Sequence, residues 1–312
     1  MKGPTSILLA TLLGLPVLAQ AAEPARCATV NFSDVGWTDI TVTTAVTSAV
    51  LQSLGYKTKT TMISVPVTYK SLADGKNMDV FLGNWMPTME NDIKPYRDAG
   101  TVETVRANLE NAKYTLAVPQ ALYDKGLKDF ADIVKFKKEL DGKIYGIEPG
   151  SGANTDIQKM IDTNRFGLGG FKLVASGEAG MLAAVQRAVN RKELVVFVGW
   201  TPHPMNLNMQ MAYLTGSEDV FGPNEGRATV STVTAPDFAE RCPNANRLLT
   251  NLTFTAAQES QWMVPIMARQ SPQEVAKKWL REHPEDLQRW LAGVAAFDGS
   301  DGVAAVQASL KP

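Results

Sequence analysis

The sequence predicts an α/β chain folded as two lobes, with a ligand cleft between them and a two-segment hinge. Short apolar runs alternate with helix-period patterns, the signature of βα units. The alternation comes in two series, the second beginning at Lys113. No low-complexity linker parts the series and no internal repeat is visible. The chain is therefore expected to cross between the lobes more than once, as in a bilobed binding protein.

Residues 28–32 read as a first strand. Val42, Val46, Val50 and Leu54 fall at i+4 spacing, which predicts a helix over 38–54 with one apolar face, stopped by Gly55. Strands are expected at 58–65 and at 79–82, the latter running into Gly83-Asn84-Trp85-Met86-Pro87. The second series has strands at 114–118, 143–147, 171–174 and 194–198, and helices at 130–140, 154–164 and 178–189. The last third has strands at 211–214 and 229–233, then helices over 237–252, 256–269, 271–282 and 284–291.

The N-terminus stands apart from the fold. Lys2 precedes an apolar run over 7–18, too short to span a bilayer, and Ala19-Gln20-Ala21 matches the small-x-small cleavage pattern. Residues 1–21 thus read as a signal peptide cleaved near Ala21, which sends the mature chain to the periplasm. No basic stop-transfer flank follows, which argues against a membrane anchor, and Pro24-Ala25-Arg26 is not the lead-in of a lipid-modified cysteine. Hydrophobic residues make up 45% and charged residues 20%, enough to build cores rather than disorder. Losing Lys2 leaves 30 basic against 32 acidic residues, without the basic stripe that a nucleic-acid partner requires. Cys27 and Cys242 are the two cysteines. In an oxidising compartment their pairing is the default, joining the chain start to its last third; two free thiols are the alternative.

Ligands of open α/β sheets gather outside the carboxyl ends of the strands. Trp37, Trp85 and Trp200 read as lying just beyond such ends, each closely after a glycine: Gly36-Trp37, Gly83-Asn84-Trp85 and Gly199-Trp200. Trp262, Trp279 and Trp290 fall inside helical patterns and read as packing residues. Indole faces attract cations. A quaternary ammonium has no N–H to donate and carries methyl groups that prefer apolar surroundings, so several rings closing around it answer both needs. The competing reading is that the three loop tryptophans fill the interface between the lobes.

The residues also carry a family likeness. The chain resembles the substrate-binding components of ABC importers for choline, glycine betaine and carnitine, the choline-binding proteins most of all. The likeness rests on Asp34-Val35-Gly36-Trp37-Thr38-Asp39, Asp79-Val80-Phe81-Leu82-Gly83-Asn84-Trp85-Met86-Pro87, Ala112-Lys113-Tyr114-Thr115, Gly146-Ile147-Glu148-Pro149-Gly150, Gly199-Trp200-Thr201-Pro202-His203-Pro204-Met205-Asn206 and Asp219-Val220-Phe221-Gly222-Pro223-Asn224. It implies a bilobed periplasmic-binding-protein (Venus-flytrap) fold, with lobes of about 22–112 plus 212–312 and of 113–211. It implies an aromatic box falling on Trp37, Trp85, Tyr114 and Trp200, with Asp39 at the polar tail of the ligand, and a disulfide falling on Cys27 and Cys242. Two positions depart from the pattern. Ser151 stands where choline binders carry an asparagine, and Thr201 stands where a glutamate is usual. Ser151, Asn154 and the N–H groups opening the next helix suit a carboxylate, whereas Asp39 repels one. The ligand is therefore left between choline and carnitine, with betaine behind. The partners implied are that small ligand and a membrane permease, with the protein a monomer.

An enzyme is the rival class. His203, between Pro202 and Pro204, reads as structural, with a place lining the cleft as the alternative; His283 falls in a helix–helix turn. Gly150-Ser151-Gly152 is neither a nucleophile elbow nor a P-loop, and two distant cysteines with two distant histidines do not make a zinc site. Neither catalytic residue, metal nor cofactor is therefore expected. A secreted enzyme acting on a choline-type substrate, or a binding protein for another small cation or an amino acid, remains as the alternative.

Overall fold

The computed structural model describes residues 22–311. The proposed signal peptide and its cleavage near Ala21 lie outside the described residues.

A continuous, strongly curled sheet of nine strands runs through the molecule. On one side β1 (Thr29–Asp34) pairs in parallel with β2 (Lys57–Met62) and β3 (Val80–Met86). On the other, β5 (Lys143–Tyr145) pairs in parallel with β6 (Lys172–Val174) and β7 (Phe197–Thr201). Two antiparallel strands join these parallel groups: β4 (Glu103–Pro119) and β9 (Arg227–Thr234), the latter also lying against β3. Strand β4 serves both lobes. Its first part pairs with β9 as far as Lys113, and from Lys113 onward it pairs with β7 and then with β8 (Met211–Tyr213). Three register shifts along the β4–β9 ladder bend it.

Helix α1 (Thr38–Ser53) is buried over most of its length, and Val42, Val46 and Val50 are fully covered. Its threonines are tolerable there because Thr43 Oγ1 donates to Asp39 O at 2.9 Å and Thr47 Oγ1 to Thr43 O at 2.8 Å. Gly55, at φ 95°, ends the turn that follows. Helix α1 packs on helices Ala256–Met267 and Pro272–Glu282, and Trp262 and Trp290 lie in that core with Phe254 between them. Trp279 stacks on His283 at 3.5 Å, and His283 meets Glu285 at the surface.

Several expected elements change. The strand expected over 58–65 stops at Met62, and α2 (Val65–Asp74) begins where Pro66 fits a first helical turn. Helix α3 (Glu90–Asp98) and the first half of β4 went unpredicted, the latter because 103–113 is polar and becomes a strand only by pairing with β9. The helix expected over 130–140 is a 3-10 turn at Phe130–Phe136. The helix expected over 237–252 breaks at Cys242-Pro243 into Phe238–Arg241 and Pro243–Asn251, since proline cannot continue a ladder but can open one. A final helix, Gly302–Ser309, was also unforeseen.

Cys27 and Cys242 form a disulfide across 215 residues. Beside it, the Glu23 carboxylate accepts the backbone N–H groups of Asn244 at 3.0 Å and Ala245 at 3.3 Å, capping the helix that follows Cys242. The start of the described chain is thus stapled to its last third twice. Replacing both cysteines by serine is expected to lower unfolding stability by about 2–5 kcal/mol. Denaturant titration checks this, and an unchanged midpoint would assign the staple to Glu23 instead.

Candidate functional site

The site begins at the turn between β1 and α1. Gly36 takes φ 83°, and the Asp34 carboxylate fixes the turn by accepting Gly36 N–H at 2.7 Å and Thr41 Oγ1–H at 2.8 Å. Trp37 is then the N-cap of α1 and Asp39 lies in its first turn. Trp85 sits within β3, where its backbone N–H meets Met89 Sδ at 3.2 Å and its indole N–H donates to Asp39 Oδ2 at 3.2 Å. Tyr114 in β4 and Trp200 in β7 are direct cross-strand partners, so their rings lie side by side on one face.

These residues line one cavity. The Trp85 and Tyr114 rings are 5.7 Å apart between centroids and tilted, and the Tyr114 and Trp200 rings are 6.4 Å apart and meet edge to face. Trp37 and Asp39 complete that wall, with Thr88, Met89, Ile147 and Gly152 around it. Trp37, Trp85, Tyr114 and Trp200 are each at most 8% exposed, so the lobes are shut over the space. Gly152 marks how closely they meet: a Cβ there would sit 2.4 Å from the Thr88 carbonyl oxygen.

The electrostatics are one-sided. Among the described residues, Asp39 is the one ionisable carboxylate in the lining, and no lysine or arginine lines it. Burial raises its pKa, the negative charge of Glu178 adds to that, and together they push it to about 8; the backbone N–H groups of Ile40 and Asp39 and then the Trp85 indole N–H pull the other way. One oxygen of Asp39 has no partner, and neither has the indole nitrogen of Trp37. Glu148, behind Ile147, is raised by burial and further by Glu178, and the nearby Trp37 indole opposes the rise.

The other residues singled out from sequence lie farther back. Ser151 is buried as the N-cap of α5 (Gly152–Asp162), its Oγ accepting the Asn154 N–H at 3.4 Å. The Asn154 side chain ties down the 147–150 loop: Oδ1 accepts Ile147 N–H at 3.0 Å and Nδ2 donates to Ile147 O at 2.7 Å and Glu148 O at 3.0 Å. His203 is buried outside the lining, against Trp200 at 4.8 Å between centroids. Trp85 and Trp200 lie inside their strands rather than past them, because β3 runs on to Met86 and β7 to Thr201. Thr88, Met89, Ile147 and Gly152 were not foreseen; the last two flank the Glu148-Pro149-Gly150 segment already noted, which is the signal that could have found them.

Two α/β lobes shut over an apolar cavity with a carboxylate in its wall have the layout of a solute-capturing protein. Residues 28–282 match the family described as substrate binding domain of ABC-type glycine betaine transport system, and the chain belongs to that family. A solved structure of an ABC-transporter choline binding protein in complex with choline is 52% identical, with a TM-score of 0.91, covering 93% of this chain and all of the other. The glycine betaine/carnitine transport binding protein GbuC of Listeria monocytogenes is 29% identical over 53% of this chain and 54% of its own length. Lactococcal OpuAC, closed on glycine betaine, shares the fold at 23% identity and a TM-score of 0.77, covering 85% of this chain and 99% of its own. The family is one of transport binding proteins, not enzymes, and substrate-binding proteins of ABC importers are periplasmic or extracellular.

Gly152→Ala is expected to hold the lobes apart while leaving each intact, because the Thr88 carbonyl is backbone and cannot swing aside. Small-angle scattering should show a larger radius of gyration with little change in the thermal midpoint. An unchanged radius would mean that the contact yields.

Proposed function

We propose that the protein captures choline in the periplasm and hands it to the permease of an ABC importer, working as a monomer freed of its signal peptide at Ala21. The aromatic cavity, with a buried carboxylate in its wall that keeps one oxygen unpartnered, carries this reading. Trp37, Trp85, Tyr114 and Trp200 hold the trimethylammonium group through their ring faces, each worth about 0.5–2 kcal/mol depending on desolvation. Asp39 accepts the choline hydroxyl and balances the charge. The absence of lysine and arginine from the lining favours an alcohol tail over a carboxylate, and the choline complex of the 52% identical relative points the same way. Ser151 shapes the tail pocket from behind as a helix cap, with Asn154 and His203 supporting the walls. The lobes are taken as 22–112 plus 212–312 and 113–211. Their return crossing is refined from 212 to just past Thr215, because Thr215 N–H donates to Lys128 O and Phe130 N–H to Thr215 O.

One observation favours carnitine as a second reading. With its pKa pushed to about 8, Asp39 is largely protonated at neutral pH and can donate to a carboxylate. A pH titration of affinity separates the two. Choline binds best to ionised Asp39, so its affinity should rise with pH up to about 8 and then level, with proton release below that pH. Carnitine held by a protonated Asp39 should instead lose affinity as pH passes 8. Calorimetry in buffers of different ionisation heat reads both. A choline affinity that is flat from pH 6 to 9 would remove Asp39 from the tail site.

Trp200→Ala is expected to weaken choline binding by at least ~1–2 kcal/mol, followed by tryptophan fluorescence. Ser151→Asn should raise the ratio of choline to carnitine affinity, and an unchanged ratio would show that Ser151 does not shape the tail pocket.

A further inference from the structure

Trp37 caps α1 without contributing a side-chain hydrogen bond, which leaves the first N–H groups of the helix in need of acceptors. The acceptor comes from the opposite lobe. Glu178, the first residue of α6 (Glu178–Asn190), reaches across the cleft so that its Oε2 accepts Thr38 N–H at 2.9 Å and its Oε1 accepts Thr38 Oγ1–H at 2.5 Å. The carboxylate is 7% exposed. A second contact aims it. His203 Nδ1 accepts the Met205 N–H at 2.9 Å, which leaves the imidazole proton on Nε2, and that nitrogen meets Glu178 Oε1 at 3.2 Å. The same imidazole packs edge-on to Trp200.

Thr38 stands between Trp37 and Asp39, both in the cavity wall, and His203 stands behind Trp200, in the facing wall. A chain of polar contacts therefore runs from Met205 through His203 and Glu178 to Thr38, and its last link, which joins the two lobes, exists only while they are shut. We infer that Glu178 is a positioning residue of the binding site: it caps α1 from the opposite lobe on closure and so locks Trp37 and Asp39 into register with Trp200. This rests on the capture function proposed above and adds to it the group that holds the captured state.

Such a latch acts on escape rather than on encounter. Stopped-flow tryptophan fluorescence with choline should show a dissociation rate at least tenfold faster in Glu178→Gln, with the association rate within twofold. Glu178→Asp keeps the charge but withdraws the carboxylate by one methylene, and it should release choline comparably fast. Thr38→Val removes one of the two partners and should give a smaller increase that is not additive with Glu178→Gln. Thermal midpoints of the ligand-free variants should stay close to that of the unchanged protein, since the ligand-free protein makes the contact only in its shut fraction and each lobe keeps its own core. A wild-type dissociation rate in Glu178→Asp, or an effect confined to association, would overturn the latch and leave Glu178 as a distant charge. If choline fails to saturate the unchanged protein, the functional reading fails. The latch is then decided by exchange of the Thr38 amide in the ligand-free protein: slower than in Glu178→Gln if the latch exists, equal if it does not.

Discussion

A carboxylate stripped of water stays ionised only if opposite charge or hydrogen bonds replace the water. Asp39 is 1% exposed, holds one hydrogen bond from Trp85, and faces the negative Glu178 instead of a cation. The wall around it is short of positive charge: rings, a threonine, a methionine, an isoleucine and a glycine, with no basic side chain among the described residues. A permanent cation is the solute that mends this shortage. A quaternary ammonium cannot donate a hydrogen bond, so in the proposed function the rings hold it and the carboxylate meets its other end. The division of labour between four rings and one acid follows from the chemistry of the ion.

The fold delivers those groups from separate stretches of chain. Trp37 and Asp39 come from a helix start, Trp85 from the end of β3 where it pairs antiparallel with β9, and Tyr114 and Trp200 from the antiparallel pair of β4 and β7. Strand β4 makes the last combination possible. It leaves the ladder with β9 at Lys113 and joins β7 there, so that Tyr114 is the first residue past the changeover. An aromatic at that point belongs to one lobe by its pairing while standing beside the strand that leads to the other. Ring contacts from Trp85 to Tyr114 to Trp200 thereby cross the cleft without interruption.

How much of this was readable follows from the same geometry. Trp37 was readable because a glycine turn fixed by Asp34 must precede it, and tight turns leave marks in sequence. Trp262 and Trp290 were readable as core because they lie in helical patterns. Tyr114 was not readable from spacing. It is one buried residue in a run of buried residues, and only the family likeness picked it out. Polar 103–113 gave no strand signal, because its partner β9 lies more than a hundred residues away and supplies the pairing. Glu178 was invisible for a related reason. It opens an ordinary helix, and its partner Thr38 is 140 residues distant. Local chemistry leaves local marks, and contacts made only by closure leave none.

The charge of Glu178 has a further consequence for the empty site. It falls on Asp34, Asp39 and Glu148, and raises the pKa of each. Shutting the lobes without a ligand therefore gains the hydrogen bonds to Thr38 but brings Glu178 and Glu148 of one lobe toward Asp34 and Asp39 of the other in a space that excludes water. These two terms oppose each other, so neither the open nor the shut state of the empty protein is strongly favoured by this contact alone. A bound monocation changes the sign of the second term: it is attracted to the whole cluster, and the attraction grows as water leaves. Closure then becomes favourable for the reason that made it costly. A ligand with the right shape and no charge would fill the rings and still leave the acids unbalanced, which is how a cavity lined almost wholly by apolar groups can select for charge.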